Sequence, residues 1–178
     1  EHIGLTGPIG AGKTTLINIL SGLQRNFSQG EASFCGKSFD QYTHQDLRRH
    51  IGVVLQRPFL FASTIFQNIS MGQNLTEEEV LYYLQIAAFD EDLEEMPRGI
   101  WTPLGEWGIN LSGGQKQRLA LARTLARSPK ILFLDDCLSA VDVKTEEKIV
   151  KNLNRELADM TILWVAHRES TLKNCQRV

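Results

Sequence analysis

Gly7-Pro8-Ile9-Gly10-Ala11-Gly12-Lys13-Thr14 fits the spacing G-x-x-x-x-G-K-[ST] of a phosphate-binding loop. The residues before it, His2 to Thr6, read as a short buried strand. Those after it, Thr15 to Leu23, carry apolar Leu16, Ile17, Ile19, Leu20 and Leu23 and read as a helix. Strand, glycine loop and helix form the context that the spacing requires. Glycines let the backbone curl so that several N–H groups converge on phosphate oxygens, and the positive end of the helix faces the same point. Lys13 is placed for the β- and γ-phosphates. The Thr14 hydroxyl is placed as a Mg²⁺ ligand. The alternative, a plain Gly-rich strand-to-helix turn, does not ask for Lys-Thr in this register.

The 178 residues are enough for one domain with a sizeable core. A hydrophobic share of 42% with 22% charged residues is ordinary globular composition. The net charge of −2 gives no basic bias, so nucleic acid is not an expected partner. Cys35, Cys137 and Cys175 lie far apart with no C-x-x-C pair and read as free thiols. No run approaches the roughly 18 apolar residues of a membrane span, and the opening Glu-His followed directly by a strand does not read as a signal peptide. The chain opens one strand ahead of its glycine loop, and Gln176-Arg177-Val178 reads as the start of a further strand. Both ends therefore look cut, as in a piece of a longer polypeptide.

Along the chain, three continuous apolar runs have strand length: Ile51 to Leu55, Ile131 to Leu134 and Thr161 to Ala166. Such runs suit strands buried on both faces. A further short strand is expected over Gly30 to Phe34, and a basic helical turn over Gln45 to His50. Thr64 is placed to cap a helix over Ile65 to Ile69. Thr76 with Glu79 three residues on marks another start, with Val80, Leu81, Leu84, Ala87 and Ala88 on one face. Asp90 to Met96 reads as an acidic helical turn, and Pro97 to Gly108 as a loop carrying Trp101 and Trp107. Ser112 opens a helix with Leu119, Leu121, Ala122, Leu125 and Ala126 inward, and Ser128-Pro129 ends it. Glu146 to Leu157 is an amphipathic helix. Apolar strands alternating with helices predict an α/β fold, a parallel sheet covered on both faces. Residues 60–110, lacking any long β pattern, read as a helical insertion.

The three apolar strands end in Gln56, Asp135-Asp136 and His167. Parallel sheets bind ligands beyond the carboxyl ends of their strands, where the glycine loop also lies. Asp135 can hold Mg²⁺ opposite Thr14. Asp136 stands where a general base or water-orienting carboxylate is useful, and His167 could contact the γ-phosphate. Taken alone, Asp135 is more readily a strand terminus or helix cap and His167 a structural histidine; the phosphate loop upstream assigns them. Leu111-Ser112-Gly113-Gly114-Gln115 is a second glycine-rich helix start able to bind an anion. One nucleotide already has its phosphates in the first loop, so the second points to another chain's nucleotide.

This ordered set resembles the nucleotide-binding domain of ATP-binding cassette transporters. Gly7 to Thr14 corresponds to Walker A, with Thr15 adjoining it, and Gln56 to the Q-loop. Leu111 to Gln115, followed by Lys116-Gln117-Arg118, matches the signature motif. Ile131 to Asp135 matches Walker B, Ser139-Ala140-Val141-Asp142 the D-loop, and His167 the H-loop. The resemblance implies a P-loop NTPase, RecA-like core with an inserted helical subdomain. A single truncated cassette would span 1–178, its core at about 1–57 and 128–178 and its insertion at about 58–127. It implies ATP and Mg²⁺, the metal held by Thr14, Gln56 and Asp135. It further implies two cassettes closing head to tail, each ATP held between one Walker A and the partner's Ser112-Gly113-Gly114-Gln115. Closure would drive attached transmembrane domains, with the cassette at the cytoplasmic face of a membrane. Arg57-Pro58-Phe59-Leu60-Phe61 with Thr64 to Ile69, and Leu104-Gly105-Glu106-Trp107-Gly108, are similar to the exporter forms of their segments. The second is the exporter X-loop, with Trp107 where a charged residue is usual. A soluble cassette acting in translation or DNA repair is the alternative, but it calls for basic patches. The insertion here is acidic, with Glu77-Glu78-Glu79 and Glu91-Asp92.

Two departures stand out. The family's catalytic Glu follows the Walker B Asp, and Asp136 stands there. Its shorter side chain predicts a slow site, as in one half of a heterodimeric exporter, or a regulatory cassette with little turnover of its own. The intact signature motif would complete a competent site on a partner. Family members also stack adenine on an upstream aromatic ring. Six residues precede Gly7, and His2 is the sole ring among them. Weak ATP binding by this piece alone is expected.

Overall fold

The computed structural model describes residues 1–24 and 29–178. Four strands, β1 (His2–Leu5), β4 (Ile51–Val54), β5 (Ile131–Asp135) and β6 (Thr161–Val165), form one sheet in the order β1-β6-β5-β4, with all neighbours parallel. A two-stranded ribbon, β2 (Ser33–Phe34) and β3 (Lys37–Ser38), turns at Cys35-Gly36 with φ of 50° and 75°. Positive φ at both positions is the type I′ pattern, whose twist matches a hairpin. The strand expected from Gly30 is accordingly two residues long.

Helix α1 (Lys13–Leu20) leaves the glycine loop, and α2 (His44–His50) precedes β4. Between β4 and β5 lie α3 (Ile65–Ser70), α4 (Glu77–Ile86), α5 (Asp90–Glu94) and α6 (Gly113–Leu125). Two 3₁₀ turns, Gly99–Trp101 and Glu106–Gly108, break the expected loop. Then α7 (Val143–Glu156) leads to β6, and α8 (Glu169–Leu172) follows it. Helices α2, α3, α4 and α6 start with full capping boxes: Thr43 with Asp46, Thr64 with Gln67, Thr76 with Glu79 and Ser112 with Gln115. In each, the cap hydroxyl accepts from the third backbone N–H and the third side chain accepts in return. Helix α1 stops at Leu20 rather than Leu23, because Gly22 takes φ 72° beyond the Ser21 cap.

Side chains alternate across the sheet. Phe133 and Val165 pack with Ile17 of α1 and Leu47 of α2, whereas Leu132, Leu134 and Ile162 pack with Leu121 of α6 and Ile149 of α7. Helices thus cover both faces, as the unbroken apolar strands require. The second cluster continues without a break into Leu60, Ile65, Leu84 and Phe89 of the helical stretch. Val80 and Leu84 of α4 and its C-cap Ala87 are buried, but Leu81 is exposed, one position round the helix from their stripe. Leu16 and Leu23 are also exposed. The chain's last residues begin to pair beside β1: Gln176 N donates to His2 O at 2.8 Å, and Gly4 N to Arg177 O at 2.7 Å. Cys35, Cys137 and Cys175 are free thiols. Among the described residues no helix is long and apolar enough to cross a membrane.

Gly52 sets how closely α6 approaches the sheet. A Cβ there would lie 2.7 Å from Thr124 Cγ2 and 2.9 Å from Pro129 Cγ. Both atoms belong to rigid, packed residues, so the helix must lift. Gly52→Ala is expected to destabilise the domain by about 1–3 kcal/mol, the range for overpacking. Urea unfolding checks this; an unchanged midpoint would mean that α6 yields freely.

Candidate phosphate and nucleotide site

Parallel strands in register bring their carboxyl ends to one edge. Leu5 lies beside Val165, and Val165 beside Asp135; Val54 pairs with Leu134 one residue earlier. The residues that follow these strands emerge in a row: the glycine loop, His167, Asp136 and Gln56. They meet around a cleft of about 480 Å³ lined by Ile9, Gly10, Gly12, Lys13, Thr14, Thr15, Gln56, Asp135, Asp136, Val165 and His167. Of the residues singled out in the sequence, Gly7, Pro8 and Ala11 shape the loop without lining this cleft.

Gly12 caps α1 with φ 88°, and a Cβ there would meet nothing within 4 Å. Backbone conformation, not crowding, makes it glycine. Lys13 Nζ folds back over the loop and donates to Gly7 O at 2.8 Å and Pro8 O at 2.9 Å. Thr14 and Thr15 are exposed at the first turn of α1, while Asp135 is buried at the end of β5.

Asp136 is held on three sides. Its N–H donates to Val165 O at 3.0 Å, its carbonyl accepts from Ser139 Oγ at 2.8 Å, and its Oδ2 accepts from Gln56 Nε2 at 2.9 Å. Its φ is 47°, in the left-handed region that Asp tolerates better than most residues. Burial pushes its carboxyl above the ordinary Asp value and Asp135 adds to this; His167, the Gln56 hydrogen bond and Arg168 oppose it. A carboxyl raised by desolvation in a cleft is the kind of group that takes part in proton chemistry.

The signature residues Ser112, Gly113, Gly114 and Gln115 do not line this cleft. Ser112 and Gly113 are exposed at the start of α6. The motif is fixed from behind: Gln115 Nε2 donates to Asp92 Oδ1 at 2.8 Å, and Arg118 pairs with the same carboxylate. Gly114 lies under Ala140, whose carbonyl oxygen a Cβ would meet at 2.8 Å. Ser139 to Asp142 therefore packs directly on the signature helix.

Two residues that carry this arrangement were not singled out from the sequence. Arg168 Nη1 donates to Val141 O at 2.9 Å and Nη2 to Ser139 O at 3.3 Å; Nη1 also pairs with buried Glu146, which accepts from Thr171 Oγ1. Gln117, buried within α6, bonds Gln56 O, Ser139 Oγ and Ala140 N. Arg168 adjoins His167, which was a usable signal; Gln117 was quoted with the signature motif as part of Lys116-Gln117-Arg118, but nothing local to that run gave it a role of its own. On a different surface Phe59, Phe61 and Trp107 form an edge-to-face chain with centroids 4.9 and 4.8 Å apart. Trp107 sits at φ 57° and Ile109 beside it in sequence is also exposed.

A glycine loop at the first strand end, with carboxylates, a glutamine and a histidine at the neighbouring ends, defines a P-loop nucleotide-binding domain. Residues 1–139 match the profile of the family described as ABC transporter. The chain is 38% identical over its whole length to the multidrug resistance-like ATP-binding protein MdlA of Escherichia coli, covering 30% of that protein. It is likewise 38% identical over its whole length to the ATP-dependent lipid A-core flippase of Desulfotalea psychrophila, covering 31% of it. The solved structure of a bacterial Atm1-family ABC exporter with ATP bound superposes with a TM-score of 0.93 at 35% identity, over 98% of this chain and 31% of that one. The chain belongs to the ABC transporter family and has the fold of its nucleotide-binding domain. It spans less than a third of the length of these relatives.

Proposed function

We propose that this chain is the ATP-binding and ATP-hydrolysing module of an ABC exporter, with a slow site of its own. The observation that carries the reading is the meeting of Lys13, Thr14, Gln56, Asp135, Asp136 and His167 around one cleft. Lys13 and the loop N–H groups take the phosphates of ATP. Thr14, Gln56 and Asp135, which line that cleft together, would hold Mg²⁺, which needs only one or two protein carboxylates when phosphate oxygens complete its shell. Asp136 orients or deprotonates the attacking water and His167 faces the γ-phosphate. Ser112 to Gln115, all away from their own cleft and with Ser112 and Gly113 exposed, serve the nucleotide of a second cassette docked head to tail. Asp136 in place of Glu makes a heterodimer with a Glu-bearing partner the favoured pairing. Residues 58–127 act as the inserted helical subdomain. Its exposed Phe59, Phe61, Trp107 and Ile109 offer an apolar face to the transmembrane domains, at the cytoplasmic side of the membrane. The relatives named above support export as the direction.

Ser112→Arg in the full-length protein tests the docking. It is expected to leave the ATP affinity of the Lys13 cleft unchanged while lowering turnover about tenfold. Loss of the helix cap costs about 1 kcal/mol, too little to unfold the domain. Unchanged turnover would remove the shared-site reading, and lost ATP affinity in the same chain would place Ser112 in its own cleft.

A further inference from the structure

We propose that Gln117 is a positioning residue for Asp136, acting through Gln56 and Ser139 without touching nucleotide. The inference rests on the reading that Asp136 takes part in hydrolysis. Gln117 is 4% exposed and does not line the cleft. It sits on the buried side of α6 with Gly114, Leu121 and Leu125, a position that an aliphatic side chain would fill. A buried amide there requires partners for each of its polar atoms.

The partners lead to one place. Gln117 Nε2 donates to Gln56 O at 3.1 Å, and Gln56 Nε2 in turn donates to Asp136 Oδ2 at 2.9 Å. Gln117 Nε2 also donates to Ser139 Oγ at 3.3 Å, and Ser139 Oγ donates to Asp136 O at 2.8 Å. One arm thus ends on the carboxylate and the other on the backbone carbonyl of the same residue. The Oε1 atom accepts from Ala140 N at 3.0 Å, which fixes the amide's orientation and identifies its donor end. Gln56 lies past the end of β4 in a loop and is exposed, so nothing regular holds its carbonyl. The left-handed backbone of Asp136 likewise depends on its hydrogen bonds. A single buried amide on the signature helix therefore braces the polar side of the cleft at two points. Placement errors near 1 Å in a reacting group cost up to about 100-fold in rate, so a brace of this kind has kinetic weight.

The experiment is single-turnover ATP hydrolysis by the full-length protein with its partner cassette, which resolves two unequal sites as two phases. The phase that Asp136→Asn slows, while leaving it measurable, identifies this site. Gln117→Met keeps length and volume and removes all three bonds. Gln117→Glu keeps the acceptor for Ala140 N and, as the carboxylate, removes both donors. Both are expected to slow the identified phase about tenfold, with ATP affinity changed less than twofold. Neither is expected to add anything to Asp136→Asn, since both act through that residue. A Gln117→Met loss that multiplies with Asp136→Asn would overturn the proposal and mark a general packing role. Native behaviour of Gln117→Glu would overturn it in favour of the Ala140 bond. If Asp136→Asn slows no phase, the hydrolytic reading of Asp136 falls and this inference with it. If it does slow one, only the inference is at stake.

Discussion

Lys13→Ala is expected to weaken ATP binding at this cleft by at least about 100-fold and to bring its turnover below detection. In the structure the ammonium bridges Gly7 O and Pro8 O, closing the loop over itself. Phosphate oxygens replace these neutral acceptors when nucleotide enters. Hydrogen bonds to charged groups contribute about 1.5–3 kcal/mol each, so two lost at the phosphates amount to roughly 3–6 kcal/mol. At about 1.4 kcal/mol per tenfold, that spans at least two orders of magnitude in affinity. The loop is exposed and its glycine-driven backbone stays as it is, so folding stability should change by only about 1 kcal/mol. Nucleotide titration beside urea unfolding separates the two effects. An affinity within a few-fold of native would mean that the loop N–H groups bind the phosphates unaided.

The part of this site that is written as local spacing is legible in the amino-acid sequence by itself. The loop from Gly7 to Thr14 fixes its own geometry, because the glycines and the helix start are neighbours in sequence. The helix starts are legible for the same reason: Thr64 with Gln67, Thr76 with Glu79 and Ser112 with Gln115 each satisfy backbone groups within one turn. Gln56, Asp135, Asp136 and His167 follow from a topological rule, since whatever comes after a parallel strand emerges at the binding edge.

What escapes a reading of the sequence depends on contacts between distant segments. The order β1-β6-β5-β4 places His167 between the loop and Asp136, and no local pattern encodes that order. Gln117 gains its meaning from Gln56, 61 residues away, and from Ser139, 22 residues away. Leu81 looks inward because Leu follows Val80 on a helix, yet the burying stripe passes through Val80, Leu84 and Ala87 and leaves it outside. Helix α8 is four residues of mostly polar sequence, too short for any period to show. Trp107 is legible as an aromatic in a loop, but its left-handed backbone and its packing on Phe59 follow from the turn's closure onto the segment after β4.

Asp136→Glu is expected to raise the hydrolysis rate of this site by roughly 10- to 100-fold while leaving ATP affinity within about twofold. The backbone at residue 136 is pinned by Val165 O and Ser139 Oγ, so side-chain length alone decides how far the carboxylate reaches. One Oδ atom is already engaged by Gln56, on the wall of the cleft rather than within it. A general base must come within about 2.6–3.2 Å of its proton, and an added methylene extends the reach by roughly 1 Å. An ångström of misplacement is worth up to about 100-fold, which sets the upper end of the expected gain. Glu tolerates the left-handed backbone less well than Asp, at a cost on the order of 1 kcal/mol in stability. Urea unfolding should register that cost without loss of the fold. Lys13→Ala in the same chain should cancel the gain, because the rate belongs to nucleotide in this cleft. A rise that obeys both conditions would mean that the reach of Asp136, and not nucleotide binding, limits the native site, as the proposed asymmetric pairing requires. An unchanged rate, in a protein where Asp136→Asn is slow, would mean that the shorter carboxylate already reaches the water, and the asymmetric pairing would lose its physical basis.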